Sequence, residues 1–130
     1  MKLIILIFIF ISSLHSVELN WLHDYDKALQ QAKKEHKDVY VFVGADVCRF
    51  CDRFKELTLS KKDVIDTLKK EYVLVYLSRD QHKIPKHFEK YGVPRHYFVT
   101  SSGEIIHADL GSREPAGFYD MLDEVDLKKD

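Results

Sequence analysis

The stretch 39–51, with the sequence VYVFVGADVCRFC, joins a run of β-branched and aromatic residues to two cysteines three positions apart. Its first five residues carry no charge, which is typical of a strand that is covered on both faces. Gly44 and the three residues after it predict a turn, and Cys48 begins a helix that runs to about Leu59. A Cys-x-x-Cys pair at a helix start, directly after a buried strand, indicates redox chemistry.

Cys48 and Cys51 are the two cysteines of the chain. Residues three apart on a helix have Cβ atoms about 5–6 Å apart, and a disulfide accepts Cα separations of about 4.4–6.8 Å. The pair can therefore open and close with little backbone movement. The unbonded N–H groups at the helix start favour the thiolate of Cys48, which is the attacking species. We expect a redox-active disulfide in which Cys48 is the nucleophile and Cys51 the resolving thiol.

Three other interpretations of the cysteine pair stay open. A purely structural disulfide would make the chain a non-catalytic binding module, although so small a loop stabilises little in the chain-entropy model. Two unrelated thiols are a second interpretation. The third is a thiol chaperone that binds copper or zinc through Cys48, Cys51 and His96. The other histidines show no ligand spacing with the cysteines, and we expect no resident metal or cofactor.

The first sixteen residues have the layout of a secretory signal peptide. Lys2 precedes nine apolar residues at positions 3–11, and Ser12 and Ser13 follow them. Nine helical residues cover roughly half of the ~30 Å hydrocarbon core of a membrane, so a spanning helix is not expected. The sequence predicts a signal peptide over residues 1–16, cleavage after Ser16, and an exported domain over residues 17–130.

Composition and charge favour one folded domain. The chain has 130 residues, of which 45% are hydrophobic and 32% charged, with a net charge of −1. This balance excludes a disordered tail, and a nucleic-acid binder usually shows a marked basic excess. The sequence also lacks the glycine-rich phosphate loops and paired-carboxylate patterns that indicate nucleotide or hydrolytic chemistry.

Periodic apolar residues predict four further helices. The first is capped by Asn20 or Asp24 and presents one apolar stripe. The members of that stripe are Trp21, Leu22, Tyr25, Ala28, Leu29 and Ala32. Ser60 and Asp63 resemble a capping box for the next helix. A short helix is predicted over residues 85–91, with Gly92 as its C-cap, and a last one over residues 114–125 with a loose tail.

Uncharged or alternating runs predict three further strands, over residues 72–77, 96–100 and 104–107. The last two strands flank a turn at residues 101–103 and form a hairpin. The predicted order is α-β-α-α-β-α-β-β-α. This order indicates an α/β fold in which a central mixed β-sheet is flanked by helices on both faces.

Over residues 18–125 the chain resembles the thioredoxin superfamily. The matching landmarks are the strand at 39–43, the Cys48–Cys51 motif, Val93-Pro94 and two glycines, Gly103 and Gly111. The first helix and the turn before Cys48 look like those of small exported thioredoxin-like proteins of bacteria, which are periplasmic in Gram-negative species. The resemblance implies a thioredoxin fold and a monomeric thiol–disulfide oxidoreductase. It would act on protein thiols and disulfides, mainly as a reductant, with a membrane protein as electron donor or oxidant.

The resemblance also implies residues that bind substrate. It implies that the Val93–Pro94 bond is cis, lies against Cys48, and presents the Val93 backbone to an extended substrate chain. Arg49, Phe50 and Arg95 are candidates to line the same groove. The Arg49 guanidinium either favours the Cys48 thiolate or points into water, where screening removes most of its effect. His96 is either a groove residue or a histidine on the strand surface.

Two positions depart from the usual thioredoxin pattern. Typical thioredoxins carry a buried acid beneath the cysteines and a tryptophan just before the first one. Aligned on Cys48, those positions hold Phe42 and Val47 here. The missing acid leaves the proton of Cys51 without an evident partner. Glu56 and a water molecule are candidates, and spacing supports neither.

Overall fold

The computed structural model describes residues 19–129 as four helices and four strands. The predicted signal peptide over residues 1–16 lies outside the described residues. In chain order, the elements are α1 (Tyr25–Glu35), β1 (Asp38–Gly44), α2 (Arg49–Leu57), α3 (Lys62–Glu71), β2 (Tyr72–Ser78), β3 (Arg95–Val99), β4 (Ile105–Leu110) and α4 (Pro115–Lys129). Within residues 19–129, no helix combines the length and apolar character that a membrane crossing requires.

The four strands form one mixed sheet in the order β2-β1-β3-β4. β1 is central: Val41 pairs with Val75 of β2 in parallel and with Tyr97 of β3 in antiparallel orientation. β4 continues the sheet antiparallel to β3. The uncharged run of β1 is fully buried from Val39 to Val43, as its sequence predicts.

Successive side chains of β1 point to opposite faces of the sheet and enter two separate cores. Tyr40 and Phe42 pack with residues of α2, α3 and α4, among them Phe54. Val39, Val41 and Val43 pack in the other core, with residues of α1. Helices therefore cover both faces, and the predicted thioredoxin fold is confirmed.

The prediction of a helix over residues 85–91 is wrong, because this segment forms turns. Phe88 stacks on Tyr97 with ring centroids 4.1 Å apart, and the Tyr97 hydroxyl accepts a hydrogen bond from the Glu89 N–H at 2.7 Å. A helix of about two turns does not recover its nucleation cost alone. Tertiary contacts of Phe88 and Tyr97 therefore decide the local conformation.

The N-terminal prediction also needs correction, because Trp21 and Leu22 lie outside α1. Leu22 pairs with β2: its N–H donates to the Leu74 carbonyl oxygen, and its own carbonyl oxygen accepts from the Tyr76 N–H, both at 2.9 Å. Of the two predicted caps, Asp24 is the N-cap and accepts a hydrogen bond from the Lys27 N–H at 3.0 Å. Leu22 thus covers backbone groups at the open edge of β2.

Several element boundaries differ from those predicted, and local contacts or geometry account for three of them. α3 is capped by Lys61 without a side-chain hydrogen bond, since the Ser60 hydroxyl donates to the Glu56 carbonyl oxygen instead. β4 runs three residues beyond the prediction and ends before Gly111, whose φ of 107° suits a chain reversal. α4 includes most of the tail that was expected to be loose, because Lys129 forms ion pairs with Asp38 and Asp126.

Candidate redox site

Cys48 is the N-cap of α2, at the turn that follows the central strand. Its backbone is extended, with φ −152° and ψ 99°, and its Sγ accepts a hydrogen bond from the Cys51 N–H at 3.1 Å. The sulfur therefore partners one of the N–H groups that a helix start leaves unbonded. This position places Cys48 Sγ at the positive end of the helix dipole, where a thiolate is stabilised.

The two cysteines form a disulfide, with Cα atoms 5.2 Å apart. This separation lies inside the usual range of about 4.4–6.8 Å. Cys48 keeps 9% of its surface exposed, whereas Cys51 is fully buried in the core with Phe42 and Phe54. Of the two cysteines, Cys48 is therefore the one that a partner in solvent can reach.

A groove of about 570 Å³ is lined by Phe50, which stands between the two cysteines in the chain, and by Val93, Pro94 and Leu110, among others. The Val93–Pro94 peptide bond is cis, and the Pro94 carbonyl oxygen accepts a hydrogen bond from the Gly111 N–H at 2.8 Å. Phe50 and Leu110 are about half exposed, so the groove offers apolar surface to a partner.

The arginines expected at the groove occupy different places. Arg49 is exposed, and its guanidinium carbon lies 5.3 Å from the centroid of the Phe50 ring. Arg95 turns back and donates from Nε to the Gly92 carbonyl oxygen at 3.2 Å. Arg53, one turn after Arg49 on α2, is instead among the residues that line the groove. Arg53 follows Arg49 by four residues, so the two share one face of the helix, and this spacing could have identified Arg53 from the sequence.

His96 is fully buried, so the expectation of a strand-surface or groove histidine is wrong. Its Nε2 lies 2.8 Å from the Gly111 carbonyl oxygen, which can only accept, so Nε2 carries the proton. Its Nδ1 then accepts from the Tyr40 hydroxyl at 2.6 Å. Burial lowers the pKa of His96 to about 4, so the ring is neutral at pH 7.

Both ring nitrogens of His96 are thus hydrogen-bonded away from the cysteines. Across residues 19–129, no group of three or more histidine, cysteine or acidic side chains is arranged to hold a metal ion. The metal-binding interpretation with Cys48, Cys51 and His96 as ligands is therefore not supported by this geometry.

The surroundings of Cys51 contain two residues that sequence reasoning missed. Lys55 follows Cys51 by one helical turn, and its Nζ lies 4.5 Å from the ring centroid of Tyr76 and 5.8 Å from that of Phe42. Tyr76 pairs with Phe42 in the parallel register of β1 and β2. Glu56, the carboxylate considered from the sequence, is exposed on α2.

A hydrogen-bond network holds the turn that precedes Cys48. The Asp46 carboxylate accepts from the Ser78 hydroxyl at 2.7 Å and from the Gln81 side-chain amide at 2.8 Å. The Asp46 N–H donates to the Asp80 carboxylate at 2.8 Å. These bonds tie the turn to the end of β2 and so fix where α2 begins.

Comparison with known proteins is consistent with this geometry. The model of a thioredoxin-like family matches residues 20–101. A DsbH oxidoreductase shares the fold with a TM-score of 0.67 and 17% identity, covering 85% of this chain and 86% of that one. A thioredoxin from Thermus thermophilus has a TM-score of 0.66 and 25% identity, covering 82% of this chain and 86% of that one.

One curated relative, an uncharacterized protein of Archaeoglobus fulgidus, is 29% identical over 63 residues. The match covers 48% of this chain and spans half the length of that relative. It therefore supports common descent of this part of the chain and carries no information about activity.

Proposed function

The chain belongs to the thioredoxin-like family, and from this premise we propose that it is an exported thiol–disulfide oxidoreductase, acting mainly as a reductant of protein disulfides. One observation carries the proposal: Cys48 caps α2 in a disulfide with Cys51. Phe50, between the two cysteines, shares a groove with the cis Val93–Pro94 bond. Helix start, dithiol and groove are the parts that disulfide exchange needs.

The proposed reaction has two steps. The Cys48 thiolate attacks one sulfur of a substrate disulfide and forms a mixed disulfide with it. The substrate S–S bond breaks, and the other substrate sulfur leaves as a thiolate that takes a proton from water. The Cys51 thiolate then attacks Cys48 Sγ, the bond from Cys48 to the substrate sulfur breaks, and that sulfur leaves as a thiolate that also takes a proton from water. Two electrons pass to the substrate, and the Cys48–Cys51 disulfide is formed again.

The groove supports a protein substrate. Phe50 and Leu110 are 54% and 47% exposed, and with Val93 they form an apolar surface on which an extended segment beside the substrate cysteine can pack. The Val93 backbone would pair with that segment. Regeneration of the dithiol requires a second protein, and a membrane protein that supplies electrons is the proposed donor.

Export is proposed from residues 1–16, whose layout is that of a signal peptide. The protein would then work as a monomer outside the cytoplasm, and in the periplasm of a Gram-negative bacterium. Substrate and donor would both be met in that compartment. In a compartment where disulfides persist, a reductant has substrates to act on.

Reduction of insulin by dithiothreitol tests the proposal. We expect the purified protein to accelerate the reaction and Cys48→Ser to abolish the acceleration. Equal rates for both proteins would refute the proposal. Titration with Cu(I) and Zn(II) forms the second arm, in which tight 1:1 binding without turnover would favour a metal chaperone. The absence of both turnover and metal binding would favour a binding module.

The reduction potential tests the direction. A value near −270 mV is expected for a reductant, whereas a value near −120 mV would indicate an oxidant. Equilibration with glutathione buffers of known ratio gives this value, and Cys51→Ser, which cannot form the disulfide, is the matched control.

A further inference from the structure

Gly44, the last residue of β1, leaves an opening between Tyr76 and Cys51. A Cβ atom at residue 44 would lie 3.1 Å from the Tyr76 hydroxyl oxygen and 3.4 Å from Cys51 Sγ. The hydroxyl and the sulfur therefore border the same space, which is slightly too small for a methyl group because Tyr76 Cε2 would lie 3.0 Å from the added Cβ. No side chain from residue 44 separates them, because glycine has none.

Lys55 places a positive charge against the Tyr76 ring. Lys55 and Cys51 are four residues apart on one face of α2. The Lys55 Nζ lies 4.5 Å from the Tyr76 ring centroid, which is within the range of a cation–π contact. Lys55 is half-buried, so water screens its charge less than that of an exposed lysine.

Burial and nearby carboxylates keep the Tyr76 hydroxyl protonated. Burial raises the pKa of Tyr76, and the negative charges of three nearby carboxylates raise it further. The histidine rings of two other segments meet the Tyr76 ring edge-on, with centroids 6.1 and 6.3 Å away. The carboxylates and histidines that face this ring are Asp46, Asp52, Asp80, His23 and His82. At pH 7 Tyr76 is therefore a hydrogen-bond donor.

We propose that Tyr76 and Lys55 stabilise the Cys51 thiolate in the reduced protein, Tyr76 by donating its hydroxyl hydrogen and Lys55 by its positive charge. This inference rests on the proposed function, since only an exchanging Cys51 has to become a thiolate. It assigns a phenol and a cation to Cys51, which lacks the buried acid that typical thioredoxins carry beneath the cysteines.

The chemistry is balanced without a further reactant. The Cys51 thiol loses its proton to water. Tyr76 donates a hydrogen bond to the resulting thiolate and keeps its own proton. The thiolate then attacks Cys48 Sγ, the bond from Cys48 to the substrate sulfur breaks, and that sulfur leaves with the electron pair. Tyr76 and Lys55 stabilise the Cys51 thiolate before this attack. Neither side chain gains or loses a proton or an electron during it.

The test is the thiol pKa of Cys51, measured in a Cys48→Ser background where it is the single cysteine. The Cβ chemical shift of ¹³C-labelled cysteine is followed against pH. Tyr76→Phe is expected to raise the pKa by about one unit, which is about tenfold less thiolate at pH 7, because a hydrogen bond to a charged group is lost. Tyr91→Phe, which removes the hydroxyl of an exposed tyrosine, is the matched control and should not change it.

Lysine variants test the charge separately. Lys55→Met should also raise the Cys51 pKa, and Lys55→Arg should leave it near the parent value, since arginine keeps the charge. Gly44→Ala places a methyl group in the opening and should raise the pKa with both side chains still present. An unchanged pKa in Tyr76→Phe and Gly44→Ala, with native circular dichroism, would overturn the proposal.

The kinetic arm uses the wild-type cysteines. Tyr76→Phe should slow release of a mixed disulfide about tenfold at pH 7, and alkaline pH should restore the rate because the thiolate then forms without help. A purely structural defect would not be rescued by pH. The titration needs no substrate, so a shifted Cys51 pKa in a protein that reduces nothing would refute the proposed function and leave this inference standing.

Discussion

Acidification should destabilise the folded protein through His96. Its imidazole is fully buried between the Tyr40 hydroxyl and the Gly111 carbonyl oxygen. Burial lowers its pKa from 6.5 to about 4 in the folded protein. Between these two pH values the unfolded chain binds a proton that the folded protein does not. The contribution of His96 to stability is therefore complete above pH 6.5 and is lost as the pH falls towards 4.

The size of the effect follows from the difference between the two pKa values. Each pKa unit corresponds to about 1.4 kcal/mol, so the folded protein should lose about 3 kcal/mol of unfolding free energy between pH 6.5 and pH 4 because of His96. His96→Gln cannot titrate in this range and should lack this part of the pH dependence. Tyr40→Phe removes the donor to Nδ1 and should cost about 1–3 kcal/mol, with the pH dependence retained.

Urea unfolding of the oxidised protein at pH 4.5, 5.5, 6.5 and 7.5 measures these differences. Trp21 is the single tryptophan of the chain and packs 6.1 Å from the rings of Tyr40 and Phe42, so its fluorescence reports on this core. The other titrating groups are common to both proteins. Their contributions cancel when the unfolding free energy of His96→Gln is subtracted from that of the wild type at each pH. Parallel stability curves for wild type and His96→Gln would refute the buried, neutral assignment of His96.

Three further predictions concern the cysteines and the N-terminus. Cys51→Ser should accumulate mixed disulfides on a non-reducing gel and Cys48→Ser almost none, because Cys51 is fully buried; equal trapping by both would reverse the assigned roles. In the reduced protein the thiol pKa of Cys48 should lie below about 8.5, and Arg49→Ala should raise it if the guanidinium contributes; no change would assign the effect to the helix start alone. The exported protein should begin near residue 17 by N-terminal sequencing, and an intact cytosolic form starting at Met1 would contradict the predicted signal peptide.

Local patterns were sufficient to predict most of the fold. The uncharged run of β1 and the apolar stripe of α1 each reflect burial that a single segment already encodes. The segment at residues 85–91 was mispredicted for the opposite reason. Its conformation depends on Phe88 stacking on Tyr97, and that contact exists only once β3 is in place. Leu22 likewise left the predicted helix because it completes hydrogen bonds of β2, which lies fifty residues later in the chain.

The site could be predicted only in part. The spacing of Cys48 and Cys51 was sufficient to predict their separation, because two residues three positions apart at a helix start lie at a nearly fixed distance. The proposed role of Tyr76 and the burial of His96 depend on strand register instead. Tyr76 is opposite Phe42 in the parallel pair, and His96 is opposite Phe42 in the antiparallel pair. A shift of one residue would turn either side chain to the other face, and sequence alone does not fix that register.

The same register explains why an apolar residue at position 42 is compatible with the proposed redox chemistry. Phe42 lies between Tyr76 and His96 in one row across the sheet, with ring centroids 5.2 and 5.9 Å away. A carboxylate at this fully buried position would lose its hydration among aromatic rings, which is costly without a partner. The polar groups are found one strand away on each side. Tyr76 borders the opening to Cys51, and His96 holds the Gly111 carbonyl oxygen. The Gly111 N–H in turn binds the Pro94 carbonyl oxygen. Phe42 thus packs against one ring that borders the opening to Cys51 and another that is linked through Gly111 to Pro94.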